Sequence, residues 1–498
     1  MRRLATTLAV LVLVSLTIVF ALLATAGGGG SSRSSDAPRS SSAPSTSSAP
    51  STSRPPKPLT GPSTFTTGMA DPAYSEPQGR NVWLSRTVGS GARFIVVWVG
   101  WGTVAPQRPP TGTDPSDPAN PAYDWGALDA TVRAATAHGL AVVLSITSAP
   151  TWAEGPHRPA SAQPGTWRPN VAAFGAFAKA VARRYSGNYD PGTGVLPRVR
   201  YFQAWTEPNA HWNLMPQWVR VQGRWVAEGP TIYRRLLNAG YVAIKAVDSS
   251  DLVITGGTSP VGDPPGGANM RPAEFVRDLL CLQGQALTPE PCPDPAHFDI
   301  LGHDPYSFNG PLQPAYWADD VSLADMWKLT RALAVAQRTG RALPRIQHPI
   351  WDTEFGFISA PNRDGVPTTE REHWIVEGFF ELWRQGINTA TWFLIVDEGP
   401  GTFFFTGLYY HDGRPKPGLE AFRFPFLVYR AGNGWAQVWG VSPNSGTVRV
   451  QALQSGRWTT VMRAPVRAGE VIDQTVAISG RPLLRAVIGS DISLGWQA

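Results

Sequence analysis

Short apolar runs alternate with amphipathic stretches over most of the chain. The run from Phe94 to Trp101 is apolar throughout, which is typical of a strand buried on both faces. The stretch 127–137 is different, because its apolar residues recur at helical spacing before Gly139 ends the pattern. The alternation predicts eight strands: Thr64–Met69, Phe94–Trp101, Leu140–Ser145, Val199–Ala204, Leu252–Thr255, Phe298–Gly302, Ile350–Thr353 and Thr391–Ile395.

Amphipathic helices are predicted between and after these strands. Their expected ranges are Asn81–Val88, Ala127–Ala137, Val171–Tyr185, Ile232–Val247, Phe275–Leu282, Leu323–Ala336, Glu370–Arg384 and Leu419–Tyr429. Strict alternation of buried strands and helices favours a parallel sheet. Eight repeats favour an α/β fold of the (β/α)8 TIM-barrel type over residues 64–430, with functional residues at the C-terminal strand ends.

The pattern changes after residue 430. Five short runs separated by Gly, Asn and Ser turns predict a small antiparallel β domain at 431–498. Its tryptophans, Trp435, Trp439 and Trp458, are interpreted as core residues, and sugar binding through them is the alternative.

The N-terminal segment predicts export. Arg2 and Arg3 precede an apolar run and a small-residue cleavage pattern, so residues 1–26 are interpreted as a signal peptide, with an uncleaved membrane anchor as the alternative. Residues 27–63 are rich in Gly, Ser and Pro and predict a solvated tether. Both interpretations place the protein outside the cytoplasm, extracellular or anchored at the cell surface.

Charge and cysteine content narrow the function classes. The formal net charge is +6, but residues 1–60 hold six basic side chains against Asp36, so the remainder of the chain is nearly neutral. That distribution argues against a nucleic-acid partner. The only cysteines, Cys281 and Cys292, are close in sequence and predict a local disulfide in an exported chain. No metal-ligand or phosphate-binding motif is found, so neither a metal nor another cofactor is expected.

Two glutamates follow predicted strands. Glu207 stands in Trp205-Thr206-Glu207-Pro208-Asn209 after the fourth strand, and Glu354 stands in Thr353-Glu354-Phe355-Gly356 after the seventh. Cleavage of a glycosidic bond needs two carboxyl groups, one as acid and the other as nucleophile or base. Pro208 restricts the backbone directly after Glu207.

These motifs resemble clan A of the glycoside hydrolases, in particular families 39 and 5, whose hallmarks are Trp-Asn-Glu-Pro after strand four and Thr-Glu-Phe-Gly after strand seven. The resemblance extends to Trp101, to Tyr123-Asp124-Trp125 and to Ala149-Pro150-Thr151-Trp152-Ala153. It covers most of residues 64–430.

The resemblance implies roles for individual residues. Glu207 is expected to be the general acid/base and Glu354 the nucleophile of a retaining mechanism, with a raised pKa for Glu207 and an ionised Glu354. His303 and Tyr306, after strand six, correspond to a His/Tyr pair whose tyrosine holds the nucleophile. Trp392 on strand eight is expected to stack on the sugar, or else to be a core aromatic.

Further substrate-binding candidates are Trp152, Trp212 and His211. Two positions depart from the family pattern: Thr206 replaces the asparagine that binds the sugar's 2-hydroxyl, and Val96 replaces a supporting arginine.

The sequence therefore predicts a monomeric, secreted or surface-tethered retaining glycosidase acting on a β-linked poly- or oligosaccharide. A transglycosylase would use the same residues. Because of Thr206 and Val96, a non-catalytic carbohydrate-binding or cell-wall protein on an inactive barrel remains the alternative.

Overall fold

The computed structural model describes residues 61–498 apart from positions 361, 364, 400, 431 and 433. The expected export segment 1–26 and nearly all of the tether 27–63 lie outside the described residues and stay predictions. Within the described part of the chain, no helix is both long and apolar enough to cross a bilayer.

Each of the eight predicted parallel strands is present, with small shifts of its limits. They are β1 Thr66–Ala70, β2 Phe94–Gly100, β3 Ala141–Thr147, β4 Tyr201–Ala204, β5 Leu252–Thr255, β6 Leu301–His303, β7 Ile350–Asp352 and β8 Thr389–Phe393. One parallel sheet has the order β8-β1-β2-β3-β4-β5, and β6 pairs in parallel with β7. Isolated parallel bridges link Ile254 to Ile300 and Phe355 to Trp392. The arrangement is TIM-barrel-like.

Helices follow the strands on the outside of this sheet. Their ranges are Arg80–Gly89, Trp101–Val104, Gly126–Ala137, Val171–Arg184, Gly229–Lys245, Pro272–Leu279, Trp327–Thr339, Thr368–Arg384 and Gly418–Arg423. The long loops carry short antiparallel pairs, of which the hairpin Trp218–Val221 with Arg224–Ala227 is the longest. That hairpin lies in the loop after β4.

The alternation of side chains along β2 explains why the whole run is apolar. Ile95, Val97 and Val99 belong to the large core between strands and helices. Phe94 and Val96 belong to a second core enclosed by the curved sheet. Gly68 on β1 makes room for this interior, because a Cβ there would lie 2.2 Å from the Phe94 ring. Both faces of the sheet are therefore buried, as the sequence pattern predicts.

The C-terminal part is antiparallel. Its strands are Phe426–Arg430, Trp435–Val441, Gly446–Gln454, Arg457–Val466, Val471–Ala477, Leu483–Ile488, Asp491–Ile492 and Trp496–Gln497. Several of their apolar residues form a cluster of their own. Trp439 is fully buried, and Trp458 has the Arg485 guanidinium 3.9 Å from its ring centroid. The domain limits at 430 and 431 stay predictions.

One predicted helix is wrong in part. The range Leu419–Tyr429 was expected to be helical, but the helix ends at Arg423 and a strand begins at Phe426. Pro425 explains the change, since proline cannot continue a helix and disfavours helical geometry in the residue before it. The residues that follow, Phe426 to Tyr429, pair antiparallel with Trp435–Val441 instead.

The predicted disulfide is present. Cys281 and Cys292 are bonded and are separated by 11 positions in the sequence. The bond closes the loop after the helix Pro272–Leu279, which leads into β6. It thus fastens a long connection that has little regular structure of its own.

Asp71, directly after β1, joins the C-terminal ends of the first and last strands. Its Oδ1 accepts a hydrogen bond from the backbone N–H of Ala73 at 2.7 Å. Its Oδ2 accepts from the N–H groups of Ile395 (2.9 Å) and Val396 (3.1 Å), just beyond β8. Burial raises the pKa of Asp71 to about 7. The three donors hold this buried carboxyl in place despite its desolvation.

We expect Asp71→Ala to lower the free energy of unfolding by about 2–4 kcal/mol, because three backbone N–H groups lose their acceptor inside the protein. Asp71→Asn keeps one oxygen and should cost less. Urea unfolding of both variants measures the difference, and equal stability of the alanine variant and the wild type would contradict this role.

Candidate active site

Glu207 stands on an unusual backbone turn at the end of β4. The strand ends at Ala204, and Trp205 and Glu207 have φ angles of 78° and 36°. Positive φ is uncommon for residues with a side chain and costs energy that the surroundings must supply. Such strained positions occur preferentially at functional sites, so the turn itself marks Glu207 as a candidate.

Trp205 anchors this turn. Its backbone N–H donates to the Ile146 carbonyl at 2.8 Å, which continues the pairing with β3. Its indole Nε1 donates to the carbonyl of Asn213 at 3.1 Å, and its ring packs edge-on against Phe174. Because Trp205 is fully buried and hydrogen bonded, it fixes the direction in which the following Glu207 leaves the strand.

The Glu207 carboxyl is buried and has an indole donor. Trp212 Nε1 donates to Glu207 Oε2 at 2.8 Å, and both side chains are nearly inaccessible to solvent. Burial raises the pKa of Glu207 to about 7, although the Trp212 hydrogen bond opposes the shift. Desolvation is thus the larger effect, and Glu207 can retain a proton close to neutral pH.

Glu354 follows β7 and is held by a phenol. The Tyr306 hydroxyl donates to Glu354 Oε1 at 2.9 Å, which is the hydrogen bond expected from the sequence. The backbone N–H of Glu354 donates to Asp352 Oδ1 at 3.0 Å. Burial, followed by the charge of Glu207, raises the pKa of Glu354 to about 8.

The two glutamates therefore interact, and both hold protons more tightly than an ordinary glutamate. The sequence analysis expected this for Glu207 but expected Glu354 to be ionised. The difference has two causes, the burial of Glu354 and the like charge beside it. The two carboxyls of such a pair titrate together, so their pKa values belong to the pair and not to one residue alone.

A third carboxyl, Asp304, lies beside the pair and was missed in the sequence. Thr353 Oγ1 lies 2.5 Å from Asp304 Oδ1 and 3.2 Å from the His303 carbonyl oxygen. The Thr353 hydroxyl donates to Asp304 Oδ1, and this hydrogen bond alone would lower the pKa of Asp304. Burial, then the charges of Glu354 and Glu207, raise the pKa of Asp304 well above its usual range.

Gly257, after β5, makes room for this third carboxyl. A Cβ at this position would lie 2.1 Å from Asp304 Oδ1 and 2.2 Å from Thr353 Oγ1. Any other residue at 257 would collide with both groups. The glycine thus allows the Asp304–Thr353 contact to form directly behind Glu354.

His303 and Trp392 lie inside the protein. His303 is fully buried, its Nδ1 contacts Thr258 Oγ1 at 2.7 Å, and its Nε2 contacts the Val321 carbonyl at 3.0 Å. Burial lowers the pKa of His303 to about 4. Trp392 is also fully buried and donates to the Thr406 carbonyl at 3.0 Å.

His303 was expected to bind sugar and is buried instead, whereas Trp392 takes the second of its two expected roles, that of a core aromatic. Both ring nitrogens of His303 are engaged by protein, so none remains for a hydroxyl. Trp392 packs with the helix-side core, whereas its neighbour Phe393 belongs to the interior cluster with Val96. Since side chains alternate along a strand, Phe393 is the residue of β8 that faces the interior.

The remaining candidates lie on the loops after β3 and β4. His211 is partly exposed, its Nδ1 contacts Asn269 Oδ1 at 2.8 Å, and its ring packs edge-on against Trp212. Trp152 is partly buried and donates to the Ala105 carbonyl at 2.9 Å. Thr206 is partly exposed beside Glu207.

Val96 is almost fully buried in the interior cluster. Within the described residues, no group of three or more His, Cys, Asp or Glu side chains could hold a metal ion.

The raised pKa of Glu207 predicts pH-dependent stability. Above pH 4.5 the unfolded state releases this proton first, so the free energy of unfolding falls as pH rises towards about 7. We expect Glu207→Gln to be about as stable as wild type at pH 4.5 and more stable by about 1–3 kcal/mol at pH 8. Urea unfolding at both pH values measures this, with Glu76→Gln on the surface as control. A pH-independent difference would contradict the buried-acid interpretation.

Comparison with solved structures supports the fold. A search of family models and a search of curated proteins each find no match. Structural neighbours include family 39 and family 5 glycoside hydrolases of clan A. A family 39 glycoside hydrolase from Bacteroides cellulosilyticus has a TM-score of 0.51 and 17% identity, covering 83% of this chain and 80% of that chain.

Two further neighbours are more distant. A monomeric β-xylosidase from Caulobacter crescentus has a TM-score of 0.46 and 15% identity, covering 85% of this chain and 98% of that chain. A GH5_18 protein from Bifidobacterium longum has a TM-score of 0.44 and 15% identity, covering 72% and 78%. At these identities the likeness concerns the fold, and it rests on the first neighbour.

Proposed function

We propose that this protein is a retaining glycosidase that hydrolyses O-glycosidic bonds of a β-linked poly- or oligosaccharide. The observation that carries the proposal is the interacting pair of buried glutamates, Glu207 after β4 and Glu354 after β7. Each has one oxygen fixed by a donor, Trp212 or Tyr306, and each therefore has a second oxygen for the reaction. A retaining enzyme would hold the two carboxyls about 5–5.5 Å apart.

In the first step Glu354 attacks the anomeric carbon, and its ester bond forms as the bond to the leaving oxygen breaks. Glu207 gives its proton to that oxygen. Water then attacks the anomeric carbon, breaks the ester and returns a proton to Glu207. The positive charge that develops on the sugar stabilises ionised Glu354, so the step starts with Glu354 ionised and with the proton on Glu207, from where it passes to the leaving oxygen.

The proposal also covers the closure of the barrel, the C-terminal domain and the export of the protein. The bridges on either side of the β6–β7 pair support closure of the sheet into a full (β/α)8 barrel, with the antiparallel strands as a separate C-terminal domain. Export as a secreted or surface-tethered monomer rests on the N-terminal sequence. A non-catalytic, sugar-binding barrel is the alternative, which Thr206 and Val96 motivate.

We expect Glu207→Gln and Glu354→Gln each to lower turnover of aryl β-glycosides at least about 10³-fold, because each removes one partner of the double displacement. The assay uses a panel of aryl glycosides, with NMR of the first product to detect retention of the anomeric configuration. Glu76→Gln should match wild type. An inverted first product would refute the retaining mechanism, and glycan binding without any turnover would favour the alternative.

Asp304 provides a test of the charge state of the site. If Asp304 stays neutral, Asp304→Asn should leave the acidic limb of kcat/KM against pH in place, because the amide oxygen can still accept the hydrogen bond from Thr353. If Asp304 were ionised, removing its charge would lower the pKa of Glu354 and shift that limb to lower pH. We expect no shift, and an acidic limb well above pH 4.5 in both proteins.

A further inference from the structure

Two tryptophans on the loops after β4 and β6 are exposed, yet each is supported by an arginine. Trp225 is 44% exposed and Trp317 is 51% exposed. The guanidinium of Arg220 lies 5.2 Å from the ring centroid of Trp225, and that of Arg271 lies 4.6 Å from the centroid of Trp317. A cation on one face restrains an indole and leaves other parts of the ring open to solvent.

Arg271 itself is firmly held. Its Nε lies 3.4 Å from the Gly262 carbonyl oxygen and 3.8 Å from Asp320 Oδ1. Its side chain is mostly buried, so it belongs to the framework beneath Trp317. Next to Trp317 stands Tyr316, which packs edge-on against it and is 89% exposed. The Trp317 ring is therefore held by Arg271 and Tyr316, and about half of its surface remains exposed to solvent.

The loop 259–271, after β5, connects both tryptophans. A Cβ on Gly266 would lie 2.3 Å from Trp225 Nε1, so the glycine allows this indole to pack directly on the loop. At its end the same loop carries Arg271 beneath Trp317. Within the loop, the backbone N–H of Asp263 donates to the Asn269 carbonyl at 3.0 Å, so the two ends of the segment 263–269 lie side by side.

The same loop is fastened to the segment that carries Glu207. Asn209 Nδ2 donates to the carbonyls of Ser259 and Met270 at 3.1 and 2.9 Å, and Asn209 Oδ1 accepts from Ser259 N at 2.8 Å. Asn269 Oδ1 accepts from His211 N at 3.1 Å. A continuous structure therefore leads from Glu207 through this loop to both tryptophans.

We propose that Trp225 and Trp317 form a platform that binds sugar units on the leaving-group side of a glycan chain. This inference rests on the proposed role of Glu207. An acid that protonates the leaving oxygen lies on the leaving-group side, and the loops after β4, β5 and β6 extend from that side. Restrained, exposed indoles suit the apolar faces of pyranose rings at little cost in side-chain entropy.

A platform of this kind restricts which glycans would be good substrates. A leaving group that is a single small aglycone offers no pyranose ring that could stack on Trp225 or Trp317. The two exposed indoles instead suit an oligosaccharide or polysaccharide leaving group that is long enough to lie across the loop 259–271. The enzyme would then release an oligosaccharide from within or near a chain, and small glycosides would be poorer substrates.

The test compares Trp225→Ala, Trp317→Ala and the double variant on two substrates of the same sugar, an aryl β-glycoside and a long β-linked oligosaccharide. Xylo-, manno- and gluco-oligosaccharide series serve as probes. We expect the ratio of kcat/KM on the oligosaccharide to that on the aryl glycoside to fall about tenfold in the double variant. Phenylalanine at both positions should restore much of the ratio.

Trp458→Ala is the matched control, because an arginine also lies over the Trp458 ring but this residue belongs to a C-terminal strand and not to the loops after β4, β5 and β6. An unchanged ratio in the double variant would overturn the platform while leaving the glycosidase proposal intact. If the wild type cleaved no glycoside at all, the glycosidase proposal would fail separately. Calorimetric titration with the oligosaccharides would then decide, since loss of binding in the double variant supports the platform and undiminished or absent binding overturns it.

Discussion

The site depends on the burial of two interacting carboxyls, one directly after β4 and the other directly after β7. Removing Glu207 and Glu354 from water disfavours ionisation, and their mutual repulsion disfavours it further. The indole of Trp212 and the phenol of Tyr306 oppose this effect, but both pKa values still rise. The effect of desolvation on both pKa values is therefore larger than that of the two hydrogen bonds. The residues around the pair keep the negative charge at the site low.

Asp304 is the clearest example of a residue that keeps the negative charge at the site low. A third ionised carboxyl beside the pair would add repulsion, and no cation among the described residues lowers the pKa of any of these three carboxyls. Burial and the charges of Glu354 and Glu207 raise the pKa of Asp304 in spite of the hydrogen bond from Thr353, and Gly257 leaves space for the Asp304 carboxyl. The buried cation of the loop after β8, Lys416, has an acidic partner of its own, since it pairs with buried Asp397 at 2.6 Å.

The sequence was sufficient for the strands and the two glutamates, since both depend on local patterns. Apolar runs buried on both faces are distinctive, and a glutamate directly after such a run has a fixed place at the strand end. Trp392 could not be placed in this way, because it differs from Phe393 by one residue and the strand limits were uncertain by about as much. The helix expected through Tyr429 failed at Pro425 for a local reason that the sequence did contain.

Asp304, Trp212 and the loop 259–271 required three-dimensional information. Asp304 follows β6 and meets Thr353 only because β6 and β7 are paired, and nothing in the run His303-Asp304-Pro305 indicates that contact. Trp212 stood among several tryptophans of one loop, and only the fold brings its N–H to Glu207. The contacts of these polar side chains depend on which strands and loops lie side by side. A single sequence does not specify that arrangement.

The cost of the glutamate pair also bears on the choice between an enzyme and an inactive barrel. Glu207 and Glu354 are both buried with raised pKa values, so at neutral pH they lower the stability of the folded protein. A glutamine at either position would keep the hydrogen bond from Trp212 or Tyr306 and avoid that cost. A barrel that only binds sugar gains nothing from two destabilising acids, whereas a double displacement requires both. Thr206 and Val96 differ from the pattern that the resemblance leads one to expect, and neither change removes a carboxyl of the Glu207–Glu354 pair.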